Sequence, residues 1–176
     1  GEFLKKRKGI LDGVCLTGGE PLAQKDAIEF IEFLKSFGYK IKLDTNGFFP
    51  ERLKEAIDKG LVDYIAMDIK SSPEGYAKAV GIDGIDITPA MESVKLIMSS
   101  GVDYEFRTTA VKGLHLVSDF ERIGEWICGA KRYFIQQFID SGDLIKTGFE
   151  AFSKEETEKL VAAVSKNVPS AKARGI

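Results

Sequence analysis

The sequence predicts an α/β fold in which parallel strands alternate with helices, and three observations carry that prediction. Short runs rich in Val, Ile, Tyr or Phe recur at residues 11–16, 40–43, 62–67, 102–111 and 132–138. Apolar residues spaced by three and four fill the intervals between most of them. Finally, Glu20, Asp44 and Asp68 follow three successive strand candidates at intervals of 24 residues. Alternation of this kind implies right-handed crossovers and a parallel sheet covered by helices. An open doubly wound sheet and a barrel both satisfy it.

The helical elements have readable ends. Ala27, Phe30, Ile31, Leu34 and Phe37 share one face, and Gly38 stops that helix. Pro50 opens the next, closed by Gly60. Thr88 and Pro89 open a third, closed by Gly101. Ser118 with Glu121, and Ser153 with Glu156, have the spacing of capping boxes for two more.

At 176 residues, 44% of them apolar, the chain can bury a substantial core as one domain or part of a larger one. A net charge of −2 argues against a nucleic-acid surface. No apolar run approaches the ~20 residues of a membrane span, and the N-terminal residues lack the apolar stretch of a signal peptide. A cytoplasmic protein is expected, with no membrane or nucleic-acid partner. Cys15 and Cys128 are 113 positions apart and belong to no ligand cluster, so both are expected to be buried, reduced core thiols.

In parallel α/β folds, ligands gather at the carboxyl ends of the strands. Glu20, Asp44 and Asp68 would converge there. Each has an ordinary explanation too: Asp44 in "DTNG" reads as a turn residue, and Lys70 in "MDIK" as a solvated lysine. Repetition at equivalent strand ends favours a cationic or polar ligand, because local capping does not require it. In "YEFRTTAV", Glu105, Arg107 and Thr109 share a side. Arg107 is assigned an anionic ligand, since a buried guanidinium without a partner is costly; the alternative is a tolerated pairing of Glu105 with a Lys or Arg.

"LTGGEPL", residues 16–22, places two glycines and an acid where a strand becomes a helix. Glycines let a ligand reach the main chain, and Glu20 can accept from an ammonium group. No Lys, Ser or Thr follows the glycines, so a phosphate fits poorly. An amino-acid-like ligand fits better, with its ammonium on Glu20 and its carboxylate near Lys70, Arg107 or a bound cation.

"TGGEPL", then "LDTNG", "DYIAMDIK" and "YEFRTTAV" together resemble the radical S-adenosylmethionine activating enzymes of glycyl-radical proteins. The likeness is to the activating proteins of anaerobic ribonucleotide reductase and of pyruvate formate-lyase, over nearly the whole chain. It implies a partial TIM-type (β/α)6 barrel of which about five strands are present and the first is missing, within a single radical-SAM core domain spanning 1–176. It also implies S-adenosylmethionine held by Gly18, Gly19, Glu20, Asp44, Thr45, Asp68, Lys70 and Arg107, with a monovalent cation near Asp44 and Asp68. Gln136 and Gln137 would border the adenine. The family reaction reduces the sulfonium from a [4Fe–4S] cluster, with flavodoxin or ferredoxin as electron donor. The 5′-deoxyadenosyl radical so formed takes hydrogen from a glycine of the partner glycyl-radical enzyme.

The resemblance has a large gap. The family's cluster needs three cysteines in a C-x3-C-x2-C loop, and the two cysteines here lie elsewhere. The expectation is therefore an N-terminally truncated chain, inactive by itself, with no catalytic residue of its own and an exposed sheet edge through which a homodimer could form. His115 is read as an ordinary loop residue. Two other readings stand beside this one: a Schiff-base lyase or aldolase using Lys70, with its amine tuned by burial, and a non-catalytic binding barrel.

Overall fold

A computed structural model describes residues 1–139 and 148–175. The elements run α1 (Glu2–Arg7), β1 (Gly13–Leu16), a 3-10 turn (Pro21–Ala23), α2 (Ala27–Ser36), β2 (Lys40–Thr45), α3 (Pro50–Asp58), β3 (Tyr64–Asp68), α4 (Tyr76–Val80), α5 (Thr88–Ser99), β4 (Asp103–Ala110), α6 (Val117–Trp126), β5 (Tyr133–Gln137), α7 (Lys154–Ser165) and β6 (Lys172–Arg174). The sheet follows chain order, β1-β2-β3-β4-β5-β6, and the fold class is α/β as expected. Among the described residues there are six strands rather than about five. β6 escaped notice because its three residues, Lys-Ala-Arg, have no apolar run to mark them. Among the described residues, no helix is long and apolar enough to cross a membrane.

The chain divides into two compact units. One comprises Gly1–Asp68 and Thr88–Tyr104, the other Ile69–Ile87 and Glu105–Ile176. In the first, β1, β2 and β3 pair in parallel, with Cys15 opposite Lys42 and Lys42 opposite Tyr64. Strand alternation sends Ile41, Leu43, Thr45, Ile65 and Met67 to one side, where all are buried. Lys42, Asp44, Tyr64 and Asp68 take the other side and are only half-buried. The buried side explains why these strands read as continuous apolar runs with polar interruptions.

In the second unit, β4, β5 and β6 pair in parallel, with Arg107 opposite Phe134 and Gln136 opposite Arg174. Phe106, Thr108, Tyr133 and Ile135 form its buried side. Helices α6 and α7 lie close enough that a Cβ on Gly124 would come within 3.1 Å of the Val164 carbonyl oxygen. Glycine there is therefore a packing requirement of the helix pair.

Helix boundaries at α2, α3 and α5 agree with the sequence signals to within a residue or two. The Ser153–Glu156 capping box is present: the Ser153 hydroxyl accepts from the Glu156 amide at 3.2 Å, and the Glu156 carboxylate accepts from the Ser153 amide at 2.8 Å. The Ser118–Glu121 box is not. Helix α6 begins at Val117, and Asp119 caps it by accepting from the Leu116 amide at 2.8 Å. Asp119 wins the role because the Ser72 hydroxyl also anchors its carboxylate, at 2.8 Å.

Both cysteines are exposed, which corrects the expectation of core thiols. Cys15 stands on the half-open side of β1, the strand that ends the order. Cys128 lies in the turn beyond the end of α6.

Candidate functional site: a glycine loop and a braced carboxylate

The loop after β1 turns on Gly18, whose φ of +117° excludes other residues. A Cβ on Gly18 or Gly19 would meet no heavy atom within 4 Å, so the main chain there faces open space. Glu20 follows, half-buried, and its carboxylate ties this loop to the end of β2. One oxygen accepts from the Leu22 amide at 3.1 Å and from the Thr45 hydroxyl at 2.9 Å. The other accepts from the Asn46 amide at 2.6 Å.

Behind Glu20 the contacts continue inward. Thr45 is 3% exposed, and its hydroxyl oxygen accepts from the Gly47 amide at 3.1 Å while donating to Glu20. The Ser93 hydroxyl of α5 donates to the Gly47 carbonyl at 2.7 Å. Gly47 has φ +79°, and a Cβ on it would stand 2.3 Å from the Met67 Cε. The Asn46 side chain accepts from the Phe48 amide at 3.0 Å. "DTNG" thus fixes a turn through Thr45, Asn46 and Gly47, not through Asp44.

Asp44 is instead ion-paired with Lys42, two residues earlier on the same side of β2. Its charge is balanced within the strand. Lys42 also reaches the Cys15 sulfur at 3.8 Å. Partial desolvation, and then the negative charge of Asp44, push the Cys15 thiol above its ordinary value of 9.0. Asp68 stands half-buried at the end of β3, on the same side as Asp44. A cleft of about 640 Å³ runs along the starts of β1 and β2, lined by Asp12, Val14, Cys15, Lys40 and Lys42. It lies at the opposite strand ends from the glycine loop.

Lys70 and Arg107 belong to the second unit. Lys70 is exposed, which removes the burial on which the Schiff-base reading rested. Arg107 is half-buried and engaged with other groups, so burial does not oblige it to find an external anion. Its carbonyl accepts from the Ile69 amide at 2.9 Å. Glu105 has the pairing that stood as the alternative: Arg174 grips it with two bonds of 2.9 and 3.0 Å and lies 3.7 Å from the centre of the Phe134 ring. His115 is 5% exposed and accepts and donates within the protein, so it is more than an ordinary loop residue. Gln137 donates to the Phe152 carbonyl at 3.1 Å. Sequence reasoning missed Lys42, His115 and Arg174. Strand alternation could have flagged the Lys42–Asp44 pair, but nothing local pointed to the other two.

A parallel α/β sheet, with an acid fixed against a Gly-Gly turn at a strand's carboxyl end, defines the fold class and the place where ligands of such folds gather. The profile of the radical SAM superfamily matches residues 2–127, and the chain belongs to that superfamily. A glycyl-radical enzyme activating enzyme of Methanocaldococcus jannaschii is 37% identical over 131 residues, covering 72% of this chain and 55% of that protein. A 7-carboxy-7-deazaguanine synthase of Thermoplasma acidophilum is 29% identical over 126 residues, covering 66% and 59%. The chain thus spans little more than half the length of these curated relatives. A domain of pyruvate-formate lyase-activating enzyme from Bacteroides vulgatus shares the fold, with TM-score 0.73 at 15% identity, covering 93% of this chain and 99% of that one.

The superfamily implies S-adenosylmethionine and a [4Fe–4S] cluster, and the two fare differently against these residues. The open glycine turn and the fixed Glu20 suit the amino-acid end of S-adenosylmethionine. The cluster does not fit this chain. Its two cysteines are one short of the three ligands needed, and among the described residues no group of three or more His, Cys, Asp or Glu could hold a metal ion.

Proposed function

We propose that this chain is the S-adenosylmethionine-binding core of a glycyl-radical enzyme activating enzyme. The observation that carries the proposal is the Glu20 carboxylate, fixed by three donors beside two open glycines. A carboxylate offers about four acceptor positions. Three are used by described donors, so Glu20 can take one further N–H. A ligand ammonium fits that position, with its remaining hydrogens on the carbonyls of the glycine turn.

S-Adenosylmethionine, when bound, supplies a sulfonium whose reductive cleavage gives a carbon radical able to take hydrogen from a glycine. The part of this chain is to bind and orient. Glu20 holds one direction of approach, because backbone amides fix both its oxygens. Thr45 braces Glu20 from the buried side and so serves the ligand through that carboxylate. Asp44, neutralised by Lys42, suits a ribose hydroxyl better than a bare cation. For Asp68, Lys70 and Arg107, the cofactor roles rest on the motif matches alone. The partner in this reading is a glycyl-radical enzyme of the anaerobic ribonucleotide reductase or pyruvate formate-lyase type, supported by the 37% relative.

Calorimetric titration with S-adenosylhomocysteine tests the binding half. Measurable binding that Glu20→Gln weakens by about tenfold is expected, as for one hydrogen bond to a charged group. Unchanged affinity in Glu20→Gln would remove this carboxylate from the site. The reaction half is tested in a longer protein carrying three spaced cysteines, reconstituted anaerobically with iron and sulfide. Failure of that protein to release 5′-deoxyadenosine would sink the enzyme assignment.

A further inference from the structure

His115 and Thr108, neither of which has a role in the reading above, act on two consecutive peptide groups. These are the peptides that follow β3, at Ile69 and Lys70. The Thr108 hydroxyl donates to the Ile69 carbonyl at 2.7 Å and accepts from the Tyr133 hydroxyl at 2.7 Å. The Ile69 amide donates to the Arg107 carbonyl at 2.9 Å. One position on, the His115 Nε2 lies 2.8 Å from the Lys70 carbonyl, while the Val111 amide donates to its Nδ1 at 3.1 Å. Carbonyl oxygen can only accept, and the Val111 amide can only donate. The ring is therefore the neutral tautomer with its proton on Nε2.

Burial makes these contacts firm. Thr108 is 1% exposed, Tyr133 fully buried and His115 5% exposed. Burial raises the Tyr133 phenol further above its ordinary range, so it remains a donor to Thr108. The Phe120 ring packs on the imidazole with centroids 5.8 Å apart. The loop that carries His115 is itself secured. Lys112 pairs with Glu156 at 2.7 Å, and Lys78 donates to the Gly113 and Leu114 carbonyls at 3.3 Å each.

We propose that His115 is a positioning residue for Lys70: with Thr108 and Tyr133 it clamps consecutive carbonyls of the Ile69–Lys70 segment and so fixes the direction in which the Lys70 side chain leaves the backbone. A long, exposed lysine gains directional precision only if its main chain is held, because its own rotamers are many. The inference rests on the proposed role of Lys70 as a contact for the ligand carboxylate.

The test uses His115→Phe, which keeps a ring but removes both hydrogen bonds, and His115→Gln, whose amide can donate to the Lys70 carbonyl and accept from the Val111 amide. Amide hydrogen exchange over residues 69–72 is the readout that needs no ligand. His115→Phe raises exchange there by about tenfold relative to a distant strand, as expected when the Lys70 carbonyl loses its hydrogen bond from His115, and His115→Gln restores most of the protection. Equal exchange in wild type and His115→Phe overturns the clamp. Binding of S-adenosylhomocysteine is then measured in both the Lys70 and Lys70→Ala backgrounds. His115→Phe weakens binding by several-fold in the first and has no further effect in the second. The same loss in both backgrounds overturns action through Lys70. If Lys70→Ala alone leaves affinity unchanged, or no variant binds, the proposed role of Lys70 fails while the exchange result still decides the clamp.

Discussion

Replacing Glu20 by Ala should destabilise the first unit measurably even without ligand, because this carboxylate joins the loop after β1 to the end of β2. Three bonds are lost, to the Leu22 amide at 3.1 Å, the Thr45 hydroxyl at 2.9 Å and the Asn46 amide at 2.6 Å. A hydrogen bond to a charged group contributes ~1.5–3 kcal/mol, and partial exposure of Glu20 lets water replace some of that, so the loss comes to ~2–4 kcal/mol. Glu20→Gln keeps the oxygen that serves two of the donors and should lose about half as much. With a urea slope of ~2 kcal/mol per molar, Glu20→Ala moves the midpoint down by about 1–2 M and Glu20→Gln by about 0.5–1 M. Thr45→Val should be sub-additive with Glu20→Ala, since both remove the same contact. A midpoint shift below about 0.3 M for Glu20→Ala would refute the bracing argument. Equal losses for Gln and Ala would refute the assignment of donors.

Gly47→Ala places a side chain at φ +79° and a Cβ 2.3 Å from the buried Met67 Cε, and should cost ~2–4 kcal/mol in a urea titration. Arg174→Ala removes the bidentate partner of Glu105, which is only 5% exposed, and should cost ~2–4 kcal/mol; joint replacement by Glu105→Gln and Arg174→Met should recover much of it. Both thiols should react with Ellman's reagent in the native protein, and the rate at Cys15 should still be rising at pH 9, because its titration lies above 9.0. At Glu156, the hydrogen bond from Lys112, then that from the Ser153 amide, holds the carboxyl below its ordinary 4.5. The stability it contributes is present above pH 4.5 and is lost as pH falls through the lower folded value; Glu156→Gln should flatten that part of an acid-unfolding curve.

The parts legible in advance were those with local causes. Prolines and glycines marked the ends of α2, α3 and α5, and alternation marked the buried sides of the strands. The glycine turn and Glu20 were legible because no packing reason called for two glycines and an acid at a strand end. What stayed hidden depends on distant chain. β6 has no composition signal, and the residue that gives it a use, Arg174, answers Glu105 on distant β4. Ser118 looked like a cap until Ser72 secured Asp119. His115 offered no ligand spacing because its partners are main-chain groups, which the sequence does not display. The cysteines were misjudged by the general tendency of thiols to be buried, which does not hold at the edge strand or in the turn after α6.

The Glu105–Arg174 pair joins residues 69 positions apart. During synthesis at about 5–20 residues per second, β4 therefore waits roughly 3–14 s for the arginine that neutralises its buried acid. Through that interval β4 carries an acid that resists burial. Arg174 covers that acid with its guanidinium laid over Phe134 while staying exposed itself. A three-residue strand thus holds in place the cation that lets the acid of β4 stay buried, so shortening the chain before Arg174 removes this partner from Glu105.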